Sequence, residues 1–201
     1  MATSKVEITN IALTLLGADL ITSMSESTER ARTANALFDS VRDAVLRSFP
    51  WNFALRRTQV ASLATPTPAD TWNYYFTQPT GCLRVLKVDE AVGGREFVLE
   101  RGYIACNHSP IVVKYIYQET DVTKYDALFV QALGARLAHA MAHRRIQSSA
   151  REEDLWKIYR SYVREARSVD SQEGTPENLV ADDWLDSRGT GSVMRSGNPY
   201  L

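Results

Sequence analysis

The sequence predicts an α+β fold that is mainly α: an antiparallel helical bundle from N- and C-terminal helices, an inserted small antiparallel β domain and an extended C-terminal tail. Three observations predict it. Apolar residues recur at helical spacing up to Phe49 and again from Tyr125 to Val169. Between them lie short alternating segments separated by glycine- and proline-containing turns. Beyond Asp170 the periodicity stops, and glycine, serine and acidic residues take over. The corresponding division is residues 1–57 for the N-terminal helices, 58–120 for the β region, 121–170 for the C-terminal helices, and 171–201 for a tail that orders on a partner.

Ser4 and Glu7 have capping-box spacing and open a first helix that runs through Leu16. Ile8, Ile11, Ala12, Leu15 and Leu16 fall on one face of it, and Gly17 predicts a left-handed C-terminal cap. After the polar loop "SMSESTE", a longer helix repeats Ala31, Ala34, Phe38, Val41, Val45 and Phe49, with Arg30, Arg32, Asp39 and Asp43 facing elsewhere. Pro50 ends or bends that helix.

The period then changes. "TPTPAD" is a proline-rich connector. In "TWNYYFTQP", Trp72, Tyr74 and Phe76 alternate with Asn73, Tyr75 and Thr77, as on a half-buried strand. "CLRVLKVDE", "REFVLERG", "YIAC" and "IVVKYIYQ" read as further strands, with turns at Gly93-Gly94 and "NHSP". A small sheet or sandwich between Arg57 and Gln118 is expected.

Helical spacing returns in "DALFVQALGARLAHAMAHRRI", with Phe129, Leu133, Leu137 and Met141. The small residues Ala132, Gly134, Ala135 and Ala138 permit close approach and predict that this helix lies buried between others. Ser149 and Glu152 form a second capping pair, before a last helix carrying Leu155, Ile158, Tyr159, Tyr162, Val163, Ala166 and Val169. Neither helical pair can bury its apolar stripe alone, so the N- and C-terminal pairs must pack together.

Composition narrows the function classes. The 201 residues are 44% hydrophobic and 23% charged, an ordinary globular balance. Their net charge of −1 gives no global pull toward DNA or an anionic membrane. No apolar run approaches the roughly 18 residues of a membrane span. "MATSKVEITN" lacks the regions of a signal peptide, so synthesis and folding in a cytoplasm are expected. Cys82 and Cys106, with no CxxC spacing, read as reduced thiols on or near strands.

Catalytic patterns do not emerge. Glu96, Glu100 and Glu119 are scattered along strands with no motif around them, whereas a glycosidase needs two carboxyls about 5–10 Å apart. Glu152, Glu153 and Asp154 cluster in the first turn of a helix, where peptide dipoles favour negative charge. His139 and His143 have metal-ligand spacing, but "HAMAH" lacks the general-base glutamate of HExxH, and His108 has no evident partner. There is no GxSxG, GxGxxG or Walker loop. No catalytic residue, metal ligand or cofactor is predicted.

Basic residues give more. Arg160, Arg164 and Arg167 recur at helical spacing as a positive stripe, with Arg144, Arg145 and Arg151 near the preceding turn. The stripe is either a solvated face partly neutralised by Glu153 and Glu165, a docking face for an acidic partner, or the lining of a DNA passage. From Ser171 onward, five carboxylates stand against Arg188 and Arg195, a net charge of −3. That tail still carries Leu179, Val180, Trp184, Leu185, Tyr200 and Leu201. It either packs back on its own domain or is held by another molecule.

Taken together, "ITNIALTLLGADLITSMSE", "RTANALFDSVRDAVLRSFPWNFALRRTQVASLA" and "WNYYFTQPTGCLRVLKV" resemble the head-to-tail adaptors of tailed bacteriophages, the tail tubular protein A family. Asn10, Leu13, Gly17, Arg42, Leu46, Trp51, Asn52, Phe53, Ala54, Arg57 and Leu63 fall where that family's pattern expects them. Trp72, Tyr74, Pro79, Leu83 and Arg84 continue it, as do "YDALFVQALGARLAHAMA" and "DDWLDSR", so the likeness covers most of the chain. Gln78 departs from the apolar residue often found before that proline.

The resemblance implies a non-enzymatic virion protein at the head–tail junction, made in the host cytoplasm. It implies a homo-oligomeric ring, a dodecamer, between the portal protein and the tail nozzle protein. Genomic DNA passes through without sequence-specific binding, and no membrane is involved. C-terminal segments reach into the portal, so Leu179, Val180, Trp184, Leu185, Tyr200 and Leu201 are expected as docking anchors, with Arg188 paired to a carboxylate. Arg160, Arg164 and Arg167 would then face a partner or the lumen. Of the family's structural motif, Trp51 and Phe53 are expected to close the bundle where it meets the sheet, with Arg42 or Arg57 stacked on an aromatic face. Two other classes stay open, a tail-associated peptidoglycan hydrolase and a DNA-binding module.

Overall fold

A computed structural model of the chain describes residues 4–63, 72–89, 96–145 and 149–173. The proline-rich connector, the Gly93-Gly94 turn and the tail from residue 174 onward lie outside the described residues. Four α-helices and two small antiparallel sheets form among those described.

Helix α1 spans Lys5–Leu16. The Glu7 backbone N–H donates to the Ser4 hydroxyl at 3.1 Å, and Gly17 turns left-handed at φ 66° to satisfy the last carbonyls. Asn10 ties down the following loop: its amide nitrogen donates to the Ile21 carbonyl and its oxygen accepts the Ile21 N–H, both at 2.9 Å. Ile21 is thereby held in the core. Helix α2, Glu29–Ser48, starts on a Thr28 cap and stops one residue short of the sequence expectation. Phe49 is extended, because the ring of Pro50 disfavours helical backbone in the residue before it.

Six strands follow: β1 Leu55–Val60, β2 Tyr74–Thr77, β3 Cys82–Val88, β4 Val98–Glu100, β5 Tyr103–Cys106 and β6 Ile111–Tyr117. The first begins at Leu55, before the expected boundary at 58, directly after a single 3-10 turn at Asn52–Ala54. One sheet has the order β1-β6-β3 and the other β2-β5-β4, all neighbours antiparallel. Phe76, Ile104 and Cys106 of the second sheet share a buried cluster with Val85, Val88, Ile111, Val113 and Tyr115 of the first. The two sheets therefore pack face to face.

Strand β2 corrects the expected alternation. Tyr74 and Phe76 do share a face, but Tyr74 is exposed, while Tyr75 on the other face is 5% exposed beside fully buried Ala105. Both faces of that sheet are covered at its centre. Half-burial, inferred from alternation alone, fails there.

Helix α3, Ala127–Arg145, and helix α4, Ser149–Gln172, complete the fold. Ser149 is the first residue of α4 rather than its cap, so the capping-pair expectation places the helix start one residue late. Helix α3 packs against α1, α2 and α4 and is buried as its small residues predict. A Cβ on Gly134 would lie 2.6 Å from Ile11 Cγ2, so only glycine allows α1 and α3 this close. Ile116 of β6, with Leu83 and Leu86 of β3, turns away from the second sheet and joins the core shared by all four helices.

Candidate docking face on the last helix

Helix α4 buries Leu155, Tyr159, Val163 and Ala166 in the helical core and leaves Trp156, Arg160 and Arg164 outward, one turn apart. Trp156 is 37% exposed. Arg136 from α3 supports its indole, with the guanidinium 5.1 Å from the Trp156 ring and 5.6 Å from the Tyr159 ring. His139 stands 5.1 Å from the same indole, with its Nδ1 at 2.8 Å from Arg136 Nη1 and its Nε2 at 4.0 Å from Glu152. Burial pushes the Tyr159 phenol above its ordinary pKa, although Arg136 and Arg167 oppose the shift.

The charges on this face sort themselves by position. Lys157 pairs with Glu153 at 3.2 Å and Asp154 at 3.5 Å, and the Glu153 hydrogen bond raises the pKa of its ammonium. Glu153 is thus engaged by Lys157 and not by the arginines. Among the described residues, Arg160 and Arg164 form no ion pair. They line a groove of about 710 Å³ with Trp156, Tyr159, Val163 and Arg167.

Arg167 behaves differently. Its guanidinium lies 5.4 Å from the Phe49 ring and donates to the Ser48 hydroxyl at 2.8 Å, binding α4 to the end of α2. The expected three-arginine stripe is thus two outward charges and one inter-helix strut. Of the residues near the preceding turn, Arg151 reaches the Leu16 carbonyl at 3.0 Å, and the side chains of Arg144, Arg145 and His143 lie outside the described residues.

The Trp-Asn-Phe stretch is brought to the junction of helices and sheet. Trp51, 1% exposed, meets Phe49, Phe53 and Phe129 at ring-centroid distances of 5.1, 6.4 and 5.0 Å, and its indole N–H donates to the Val45 carbonyl at 3.2 Å. Asn52 binds Asp170 near the end of α4 through its backbone N–H and its side-chain amide. Arg42 is not the stacked arginine expected there. It is buried in α2 and bridges Asp39 at 2.7 Å and Asp43 at 2.8 Å, since two carboxylates on its own helix compensate its charge better than a ring face. Arg57 lies exposed on β1, opposite Lys114. The cations over rings at this junction are Arg167 on Phe49 and Arg56 on Tyr117.

The scattered carboxylates stay in separate environments. Glu96 and Glu100 are exposed, whereas Glu119 is buried and held by Arg56 at 2.8 Å and Lys124 at 3.2 Å. Among the described residues no group of three or more His, Cys, Asp or Glu could hold a metal. Among the described residues Cys82 and Cys106 form no disulfide; the Cys106 thiol donates to the His108 carbonyl at 3.3 Å, and burial pushes the Cys82 thiol up, away from a reactive thiolate. None of the described helices is long and apolar enough to cross a membrane. Leu179, Val180, Trp184, Leu185, Arg188, Tyr200 and Leu201 lie outside the described residues.

Trp156 and Arg136 were missed by the sequence reading. Trp156 had a signal, four residues before Arg160 in the row that continues to Arg164; Arg136 had none, because the two rings it supports sit on the next helix. No family model matches the chain, and no curated protein matches it.

Proposed function

We propose that this chain is a head-to-tail adaptor of a tailed bacteriophage, a non-enzymatic virion protein forming a ring between portal and tail nozzle. Its four helices are read as an antiparallel bundle and its two sheets as the insertion. The supporting observation is the outward Arg160–Arg164 pair beside Trp156: a cationic–aromatic surface on the last helix whose two arginines form no ion pair among the described residues, suited to an acidic protein face. The family likeness supplies the identity of the partners. The Trp51-Asn52-Phe53 stretch, the most specific part of that likeness, grips the end of the helix from which the tail departs.

Ring stoichiometry, DNA passage and portal docking through the tail belong to the same reading. Tightly bound DNA would obstruct ejection, because each neutralised phosphate adds affinity through counterion release, and the near-neutral net charge of −1 suits a passage rather than a binder. Electron microscopy of the protein mixed with its portal is the test. Rings capping the portal are expected, with loss of capping when residues 171–201 are removed. A truncated protein that still caps portals normally would remove the tail from the mechanism, and a full-length protein that never does so would remove the adaptor reading.

A further inference from the structure

The Arg160–Arg164 face has a candidate occupant in the chain's own sequence. Residues 174–201 carry Glu177, Asp182, Asp183 and Asp186 against Arg188 and Arg195, a net charge of −2. Three of those carboxylates fall within the five residues "DDWLD", around Trp184. The receiving face offers the complementary set: two arginines without ion pairs among the described residues, and an exposed indole one turn before them.

Reach permits the contact. Arg164 lies eight residues before the last residue of α4, about 12 Å back along the axis at 1.5 Å per residue. The ten residue-to-residue steps from Glu173 to Asp183 span up to roughly 35 Å when extended. A turn back onto the helix is therefore easily made, and a linker this short gives an effective concentration on the order of millimolar.

We propose that the Arg160–Arg164–Trp156 face of the last helix is the docking surface for the acidic, tryptophan-bearing segment 182–186 of the same chain. The carboxylates meet the guanidiniums and Trp184 lies against Trp156. This goes beyond the adaptor reading and does not need it. If that reading also holds, the docked segment is the stored form of the tail, and the portal displaces it.

Hydrogen exchange of the full chain, followed by mass spectrometry over residues 178–188, tests this. Exchange there should be slowed roughly tenfold relative to the free-peptide rate, as expected when closed molecules outnumber open ones by that ratio. Protection should fall in 1 M salt, where the screening length drops to about 3 Å. Two variants attack the contact from opposite sides: Arg160→Glu with Arg164→Glu, and Asp182→Asn with Asp183→Asn and Asp186→Asn. Both should abolish protection, and Asp182→Arg with Asp183→Arg should restore it in the Arg→Glu background. The second variant alters only the tail, so its result does not depend on folding of the helices. Free-peptide exchange in the unaltered protein, or protection indifferent to either variant, overturns the proposal. Protection that vanishes on dilution also overturns it, because the occupant would then be another copy. None of these outcomes depends on portal binding, so failure here and failure of the adaptor reading are separately visible.

Discussion

Asn52 and Asp170, 118 positions apart, hold each other through three hydrogen bonds. The Asn52 backbone N–H donates to both carboxylate oxygens of Asp170, at 3.1 and 3.3 Å, and the Asn52 side-chain amide donates to the Asp170 carbonyl at 2.7 Å. One short turn between α2 and β1 is thereby fastened to the end of α4. Replacing Asp170 with alanine should cost about 1–3 kcal/mol, and Asn52→Ala about 1 kcal/mol, by urea denaturation.

The same carboxyl has a pH signature. Burial is the main influence and raises the Asp170 pKa above its ordinary 3.8, with the Asn52 N–H opposing it and Glu173 and Asp126 adding to it. A carboxyl raised on folding adds stability that is complete below its unfolded pKa and disappears as pH climbs through its folded value. Asp170→Asn keeps an acceptor for Asn52 and removes the titration. The variant should therefore gain on the parent as pH rises from 3.5 to 7. Urea midpoints of the two that stay parallel across that range would show that Asp170 does not titrate as described.

Trp51→Ala should be among the most damaging single changes, at about 3–5 kcal/mol, because the emptied volume is walled by Phe49, Phe53 and Phe129 and cannot collapse cheaply. Trp51→Phe should cost less, losing the Val45 bond and part of the ring area. Thermal melts of the two should rank in that order.

Gly134→Ala sets two effects against each other. Alanine favours a helix by about 1 kcal/mol over glycine. Here its Cβ would sit 2.6 and 2.9 Å from Ile11 Cγ2 and Cβ, and overpacking of that kind costs about 1–3 kcal/mol. The clash is with a side chain at its root, so it should win, and the variant should unfold at lower urea.

Glu119→Gln should destabilise by about 1–2 kcal/mol by weakening the bonds from Arg56 and Lys124, both of which are partly exposed and can turn to water. The Tyr125 hydroxyl, which donates to the Glu119 carbonyl at 2.8 Å, is pushed well above its ordinary pKa by burial. In an alkaline absorbance titration it should ionise only when the protein unfolds.

Local chemistry made much of this fold legible. Ser4, Gly17 and Pro50 fixed helix ends because caps, left-handed glycines and proline sterics act over one turn of chain. Ala132, Gly134, Ala135 and Ala138 foretold a buried helix because side-chain size limits how near two backbones come. Burial of Tyr75 was hidden, since alternation along one strand does not say whether its second face is covered as well. The role of Arg167 was hidden for a related reason: its partners Ser48 and Phe49 lie 119 and 118 positions away, which spacing along one helix does not contain, whereas the Asp39 and Asp43 partners of Arg42 stand on its own helix at distances that spacing does show. The docking face was half visible, as a row of arginines without the Trp156 that completes it.

Strand β6 sends Val113 into one core and Ile116 into the other, three residues apart. A wall that two rooms share cannot be taken out with either. Excising residues 55–117 as a separate module would bare Ile116, Leu83 and Leu86 to water, and deleting them would unroof the helices. Fusions and cassette swaps in this protein should accordingly respect that strand, and insertions should be directed to turns that neither core touches.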